Sequence, residues 1–202
     1  MQLFTNPGSP FCRKVHIVLL ETGQQDDVSE VIAIGHPTDP GSMPVAENPI
    51  GKVPTLVLDD GSALYDSRVI CRFLDARAKA GLYPEDRLWE VLTLEATGDG
   101  ICEAAVLMVY ENRSRPEAAR YPPWVEGQWT KIARALDALE SGWMPLLAGP
   151  LNAGQVAVAS ALGYLDFRHA ARNWRDGRPA LAAWEEEFGR RASIQATIPH
   201  AP

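Results

Sequence analysis

The chain has 202 residues, of which 46% are hydrophobic and 22% charged, with a formal net charge of −7. This is the composition of an ordinary globular protein able to bury a core, and the length suits one small plus one medium domain. The acidic balance argues against a nucleic-acid binder that works by neutralising phosphates. The longest apolar stretch, residues 104–110, is far short of a membrane span.

In chain order, residues 2–5 alternate as a short strand, and Asn6-Pro7-Gly8 supplies a turn. A helix is predicted to start at Ser9 or Pro10, because serine is a favoured N-cap and proline suits the first helical position. Phe11, Val15, Val18, Leu19 and Thr22 recur at helical spacing, and Gly23 is a natural stop. Residues 28–34, rich in β-branched side chains, read as a second strand. Strand, helix and strand form a β-α-β unit, so the two strands should run parallel. Residues 35–48 are loop-like, with room for one short, irregular helix. Residues 55–58 and 62–65, separated by Asp59-Asp60-Gly61, read as a hairpin. A helix follows from about Ser67 and ends near Gly81.

After Tyr83-Pro84 helical periodicity replaces strand patterning. Ile132, Leu136, Leu139 and Trp143 line one side of a helix, as do Leu181, Trp184 and Phe188. Residues 156–165 are apolar nearly all round, as expected of a helix inside a bundle, and Asn152 with Gln155 forms a capping-box pair. The second half therefore reads as an all-helical domain of about five helices. The predicted division is residues 1–80 and residues 86–202. The opening residues Met1-Gln2-Leu3-Phe4 lack a basic leader region. Three scattered cysteines (Cys12, Cys71, Cys102) do not make a disulfide framework, so a reducing, cytoplasmic setting is expected. The four histidines show no metal-ligand spacing, and there is no phosphate-binding glycine loop.

Ser9-Pro10-Phe11-Cys12 follows a strand and opens a helix. It resembles the redox tetrapeptide of a thioredoxin-type fold with serine in place of the first cysteine. A hydroxyl cannot form a mixed disulfide, yet it can donate a hydrogen bond to a thiolate that a ligand brings. Asn48-Pro49-Ile50-Gly51-Lys52-Val53-Pro54-Thr55-Leu56, Tyr65-Asp66-Ser67-Arg68 and Ala161-Leu162-Gly163-Tyr164-Leu165-Asp166-Phe167-Arg168 follow in order, and Arg191-Ala192-Ser193 closes the set. With these motifs the chain resembles bacterial glutathione S-transferases over essentially its whole length.

The resemblance implies an α/β plus all-α architecture, in which a thioredoxin-like domain binds glutathione and a helical domain receives an electrophile. It implies that Ser9 stabilises the glutathione thiolate, and that a cis Val53-Pro54 presents Val53 backbone groups to the cysteinyl part. Asp66 and Ser67 would hold the γ-glutamyl end. The family more often has Glu or Gln at the position of Asp66, so the reach here is one methylene shorter. His36 and Lys52 flank the cleft and are expected either to meet the glycyl carboxylate or to be solvated surface residues, and Phe11 is counted with the glutathione-binding residues. Asp99 is expected either as an exposed helical charge or as a residue reaching glutathione in a partner subunit. Val106 and Tyr110, with Phe11, are expected to line the electrophile pocket. Glutathione is the implied co-substrate, without a metal, and the expected partners are a small hydrophobic electrophile and a second copy of the chain in a homodimer. Neither nucleic acid nor membrane is expected as a partner. Two rival readings stand beside this one. Cys12 could support glutathione-dependent thiol reduction, or the fold could serve as a non-catalytic interaction or regulatory module.

Overall fold

A computed structural model of the chain describes residues 1–201. Strand β1 (Gln2–Thr5) leads into helix α1 (Pro10–Glu21), and β2 (Ser29–Ile32) returns beside β1. β3 (Thr55–Val57) and β4 (Ala63–Leu64) form the hairpin, and α2 (Ser67–Ala78) completes this part. The sheet order is β2-β1-β3-β4, with β1 and β2 parallel and the other neighbours antiparallel. The β-α-β reading holds, with a second strand shorter than the sequence suggests. The short helix allowed for in residues 35–48 does not form. Turns and an isolated His36–Asp39 bridge occupy that segment instead, where Pro37, Pro40 and Pro44 interrupt any helical hydrogen-bond ladder.

Register decides where the site must be. Phe4, near the end of β1, pairs with Thr55 at the start of β3, and Leu56 pairs with Leu64 at the end of β4. β2 runs parallel to β1 and ends at the same edge. Four chain segments therefore converge at one end of the sheet: the β1–α1 turn, the segment after β2, the entry to β3, and the β4–α2 junction.

From α3 onward the chain is helical among the described residues. α3 (Leu88–Ser114), α4 (Pro122–Ala138), α5 (Met144–Leu147), α6 (Ala153–His169), α7 (Pro179–Phe188) and α8 (Ala192–Gln195) follow one another, with a π-helical turn at Leu139–Trp143 between α4 and α5. α6 is the hub. Nearly every residue from Ala153 to Leu165 is buried, and both halves of the predicted capping box form: Asn152 Oδ1 accepts from Gln155 N at 3.1 Å and Gln155 Oε1 from Asn152 N at 3.0 Å. α3 crosses α6 closely enough that a Cβ on Gly98 would lie 2.7 Å from the Ala157 carbonyl carbon.

α1 lies between the sheet and the bundle, touching α2 on one side and α3, α6 and α8 on the other. This explains why it is buried nearly all round and why two of its buried residues, Arg13 and Lys14, are cations. The closing motif fastens α1 from the far end of the chain, with Arg191 donating to the Glu21 carboxylate through Nε at 2.8 Å and Nη2 at 2.7 Å. No helix among the described residues is long and apolar enough to cross a membrane.

Candidate glutathione site

The β1–α1 turn is built by Asn6. Its Nδ2 donates to Ala33 O at 3.1 Å, and its Oδ1 accepts from Gly8 N at 3.0 Å. Ser9 then caps α1, with its Oγ accepting from Cys12 N at 3.3 Å. Because that bond uses an oxygen lone pair, the hydroxyl proton stays free to donate outward. An anion placed there also meets the positive end of the α1 dipole. The capping and ligand-binding roles of Ser9 are thus compatible in one geometry.

Cys12, one turn further on, is fully buried, and burial pushes its thiol pKa up despite the Ser9 and Thr5 hydroxyls beside it. A thiol must be both ionised and accessible to exchange disulfides. Cys12 is neither. Cys71 and Cys102 are also buried, as their places inside helices suggest.

The entry to β3 is clamped by Asn48, which is only 2% exposed. Its Nδ2 donates to Lys52 O and Thr55 Oγ1, both at 3.1 Å, while its Oδ1 accepts from Ile50 N at 3.0 Å. The clamp fixes Val53-Pro54, whose peptide bond is cis. No hydrogen bond to Val53 N–H or C=O forms among the described residues, so both groups are available to an extended ligand. Lys52 is exposed and lies outside any ion pair among the described residues.

At the β4–α2 junction Asp66 caps α2, its Oδ1 accepting from Arg68 N at 3.0 Å, and Ser67 is buried at the first helical position. His36 sits at the same end of the sheet but faces the bundle. Its Nδ1 pairs with Thr38 Oγ1 at 2.9 Å, its Nε2 with Ser114 Oγ at 3.0 Å, and its ring meets the edge of Tyr110. Both ring nitrogens are committed, so Lys52 is the freer cation of the two. Phe11, Val106 and Tyr110 are each half-buried.

Asp99 differs from the expected exposed charge. It is 2% exposed, with both oxygens 2.8 Å from Lys14 Nζ and Oδ2 3.1 Å from Arg68 Nε. Its helix turns it toward α1, where the buried lysine demands a counter-ion. A separate hollow of about 220 Å³, lined by His16, Gln25, Glu30 and Thr197 among others, contains none of these residues. Among the described residues, no group of three His, Cys, Asp or Glu side chains could hold a metal ion.

Sequence reasoning placed Asn6 in a turn and Asn48 in a motif but missed that their side chains hold those turns by hydrogen bonds, and it passed over Ser114, whose hydroxyl pairs with His36. The signal for both asparagines is local, since an asparagine side chain that accepts from the backbone two residues on builds a turn.

A fold with free backbone groups and two helix N-termini at one end of a thioredoxin-like sheet, followed by a helical bundle, defines a class. Comparison with known proteins agrees. Residues 8–77 match the glutathione S-transferase N-terminal domain and residues 122–187 the glutathione S-transferase C-terminal domain. The "Uncharacterized GST-like protein YibF" of Escherichia coli K12 is 35% identical over 98% of both chains. A glutathione transferase family member from Pseudomonas fluorescens Pf-5, solved with bound glutathione, is 43% identical and superposes with a TM-score of 0.96 over 99% of both chains. A second structure of a glutathione transferase family member from Pseudomonas fluorescens Pf-5, 43% identical with a TM-score of 0.92 over 100% of both chains, was solved with bound S-(propanoic acid)-glutathione. A glutathione S-transferase from Methylobacillus flagellatus KT with glutathione bound is 34% identical, with a TM-score of 0.87 over 98% of this chain and 99% of that one. The chain belongs to the glutathione S-transferase family.

Proposed function

We propose that the protein is a cytoplasmic, homodimeric glutathione S-transferase in which Ser9 stabilises the thiolate of bound glutathione for attack on a small electrophile. The observation that carries this reading is the Ser9 hydroxyl at the α1 N-terminus, whose proton is left free by the bond from Cys12 N. In the proposed complex Val53 N–H and C=O bond the cysteinyl unit, while the α2 N-terminus with Asp66 and Ser67 takes the γ-glutamyl end. Lys52 meets the glycyl carboxylate. Bound glutathione in relatives 43% and 34% identical supports the assignment of the co-substrate. Holding both reactants in one cleft supplies the remainder of the rate enhancement.

Hydrogen bonding to a charged form lowers its pKa, and two units correspond to roughly 3 kcal/mol of preferential stabilisation. A charge-assisted bond together with a helix N-terminus can supply that. Glutathione titrations followed by thiolate absorbance against pH test the reading. The wild type should bind saturably with a lowered thiol pKa. Ser9→Ala should retain binding while the thiol pKa returns toward its free value and turnover falls by about 10- to 100-fold. Unchanged turnover in Ser9→Ala sinks the role of Ser9, and absence of glutathione binding favours an interaction module. Reduction through Cys12 is the weaker alternative, since its thiol is buried and held protonated.

A further inference from the structure

The segment after β2 forms a compact piece of its own at the edge of the proposed cleft. Ser42 N donates to Ile34 O and Ile34 N to Ser42 Oγ, each at 2.9 Å. Backbone bonds of 2.7 and 2.9 Å join His36 to Asp39, and Asn48 N donates to Pro44 O at 2.8 Å. The folding is tight, since a Cβ on Gly35 would lie 2.6 Å from Pro40 O. Asn48 carries the piece into the clamp at Lys52 and Thr55, and so to Val53-Pro54. Residues 34–52 are thus one hydrogen-bonded flap that ends at the groups offered to glutathione.

One polar bond ties this flap to the helical bundle. His36 Nε2 pairs with Ser114 Oγ at 3.0 Å, and no other hydrogen bond or ion pair joins residues 34–52 to residues 88–201 among the described residues. Thr38 N points at His36 Nδ1 from 3.5 Å, which favours the proton on Nε2 and donation to Ser114. The ring also meets Tyr110 edge-on, with centroids 6.5 Å apart. Both His36 and Ser114 are half-buried, and neither belongs to the hydrophobic core. Ser114 is the last residue of α3, so its hydroxyl adds nothing to the helix's own ladder. A contact of this kind governs local opening rather than global stability.

We propose that His36 and Ser114 are positioning residues for glutathione, whose bond latches residues 34–52 against α3 and closes one side of the cleft. This rests on the transferase reading above. Neither side chain needs to touch the tripeptide. The latch acts through the flap: with the bond made, the Asn48 clamp and the Val53 backbone are held in register with the helical domain. With the bond broken the flap opens locally, and binding must supply the lost order. The effect falls on how tightly glutathione is held and not on its sulfur, because Ser9 belongs to the separate β1–α1 turn.

Calorimetry with glutathione and hydrogen exchange by the whole protein test the latch. Ser114→Ala and His36→Phe should each raise the glutathione Kd by about three- to tenfold, the usual worth of one side-chain hydrogen bond. Amides of Asp39, Ser42 and Asn48 should exchange faster in both variants, while those of α6 keep their protection. The thiol pKa of bound glutathione should stay at its wild-type value, which separates the latch from Ser9. Ser114→Thr keeps the hydroxyl and should restore most of the affinity. The double variant should lose no more than the worse single one, because both changes remove the same bond. An unchanged Kd in Ser114→Ala, or losses that add in the double variant, overturns the proposal while wild-type glutathione binding stands. A wild type that binds no glutathione overturns the transferase reading itself, and the latch's role with it.

Discussion

Among the described residues Lys14 is the largest fully buried side chain, and it carries a charge. Its Nζ is 2.8 Å from both Asp99 oxygens and 3.2 Å from Glu95 Oε1, which also accepts from Tyr83 OH at 3.0 Å. Burial alone would lower the lysine pKa, but the Asp99 and Glu95 carboxylates outweigh it and hold the ammonium form. Glu95 is pushed the other way, its carboxyl raised chiefly by burial. Breaking such a set by removing one partner leaves buried charge uncompensated, typically at about 3–5 kcal/mol. Lys14→Met keeps most of the volume and should therefore cost about that much in urea unfolding; a loss below about 1 kcal/mol would mean the carboxylates find protons or water instead. This site also marks where reading the sequence stopped. Ser9, Asp66 and Asn152 were legible because capping depends on local residue order. The partners of Asp99 come from α1 and α2, far away in sequence, so its burial could not be read from its own helix. His36 is similar, since the bond that turns it toward the bundle comes from Ser114.

At the scale of elements, periodicity placed most helices, and register explains why the site motifs meet. What it could not supply was the distance between helices. α3 and α6 cross so closely that Gly98 faces the backbone of Ala157 and Val158, with atoms 2.7 to 2.9 Å from where a Cβ would stand. Backbone cannot move aside as a long side chain can. Gly98→Ala gains helix propensity but must separate the two central helices, and overpacking of this kind typically costs about 1–3 kcal/mol. Thermal unfolding should show a lower midpoint for Gly98→Ala than for Gly100→Ala, because a Cβ at Gly100 meets nothing within 4 Å. Equal midpoints would show that the crossing has slack. The same comparison separates packing from propensity, since both substitutions remove a glycine from the same helix. In the sequence the two glycines flank Asp99 and look alike.

The whole molecule leaves one face of α3 open, with large apolar side chains at both ends and the charged Glu103 between them. Trp89 is 78% exposed and Leu107 41% exposed, with exposed Thr93, Ala96 and Gly100 between them at helical spacing, and Val69 on the neighbouring α2 is 46% exposed. Scattered apolar residues on a surface need no explanation, but a tryptophan standing almost free on a long helix makes this face the candidate for the proposed dimer contact. A twofold axis through this face pairs it with itself, so one patch serves both copies and the assembly closes at two. The homodimer proposed above therefore makes a specific demand on Trp89. Trp89→Glu sets a charge opposite its own copy in an apolar contact, which should shift the protein from dimer to monomer in sedimentation velocity at micromolar concentration. The exposed side chain has few intramolecular contacts to lose, so the unfolding midpoint measured at high protein concentration separates the two effects: a monomer that folds cooperatively locates the interface on α3. A Trp89→Glu protein that still sediments as a dimer removes this face from the assembly. A wild type that sediments as a monomer removes the homodimer, and the exposed tryptophan then needs a different partner.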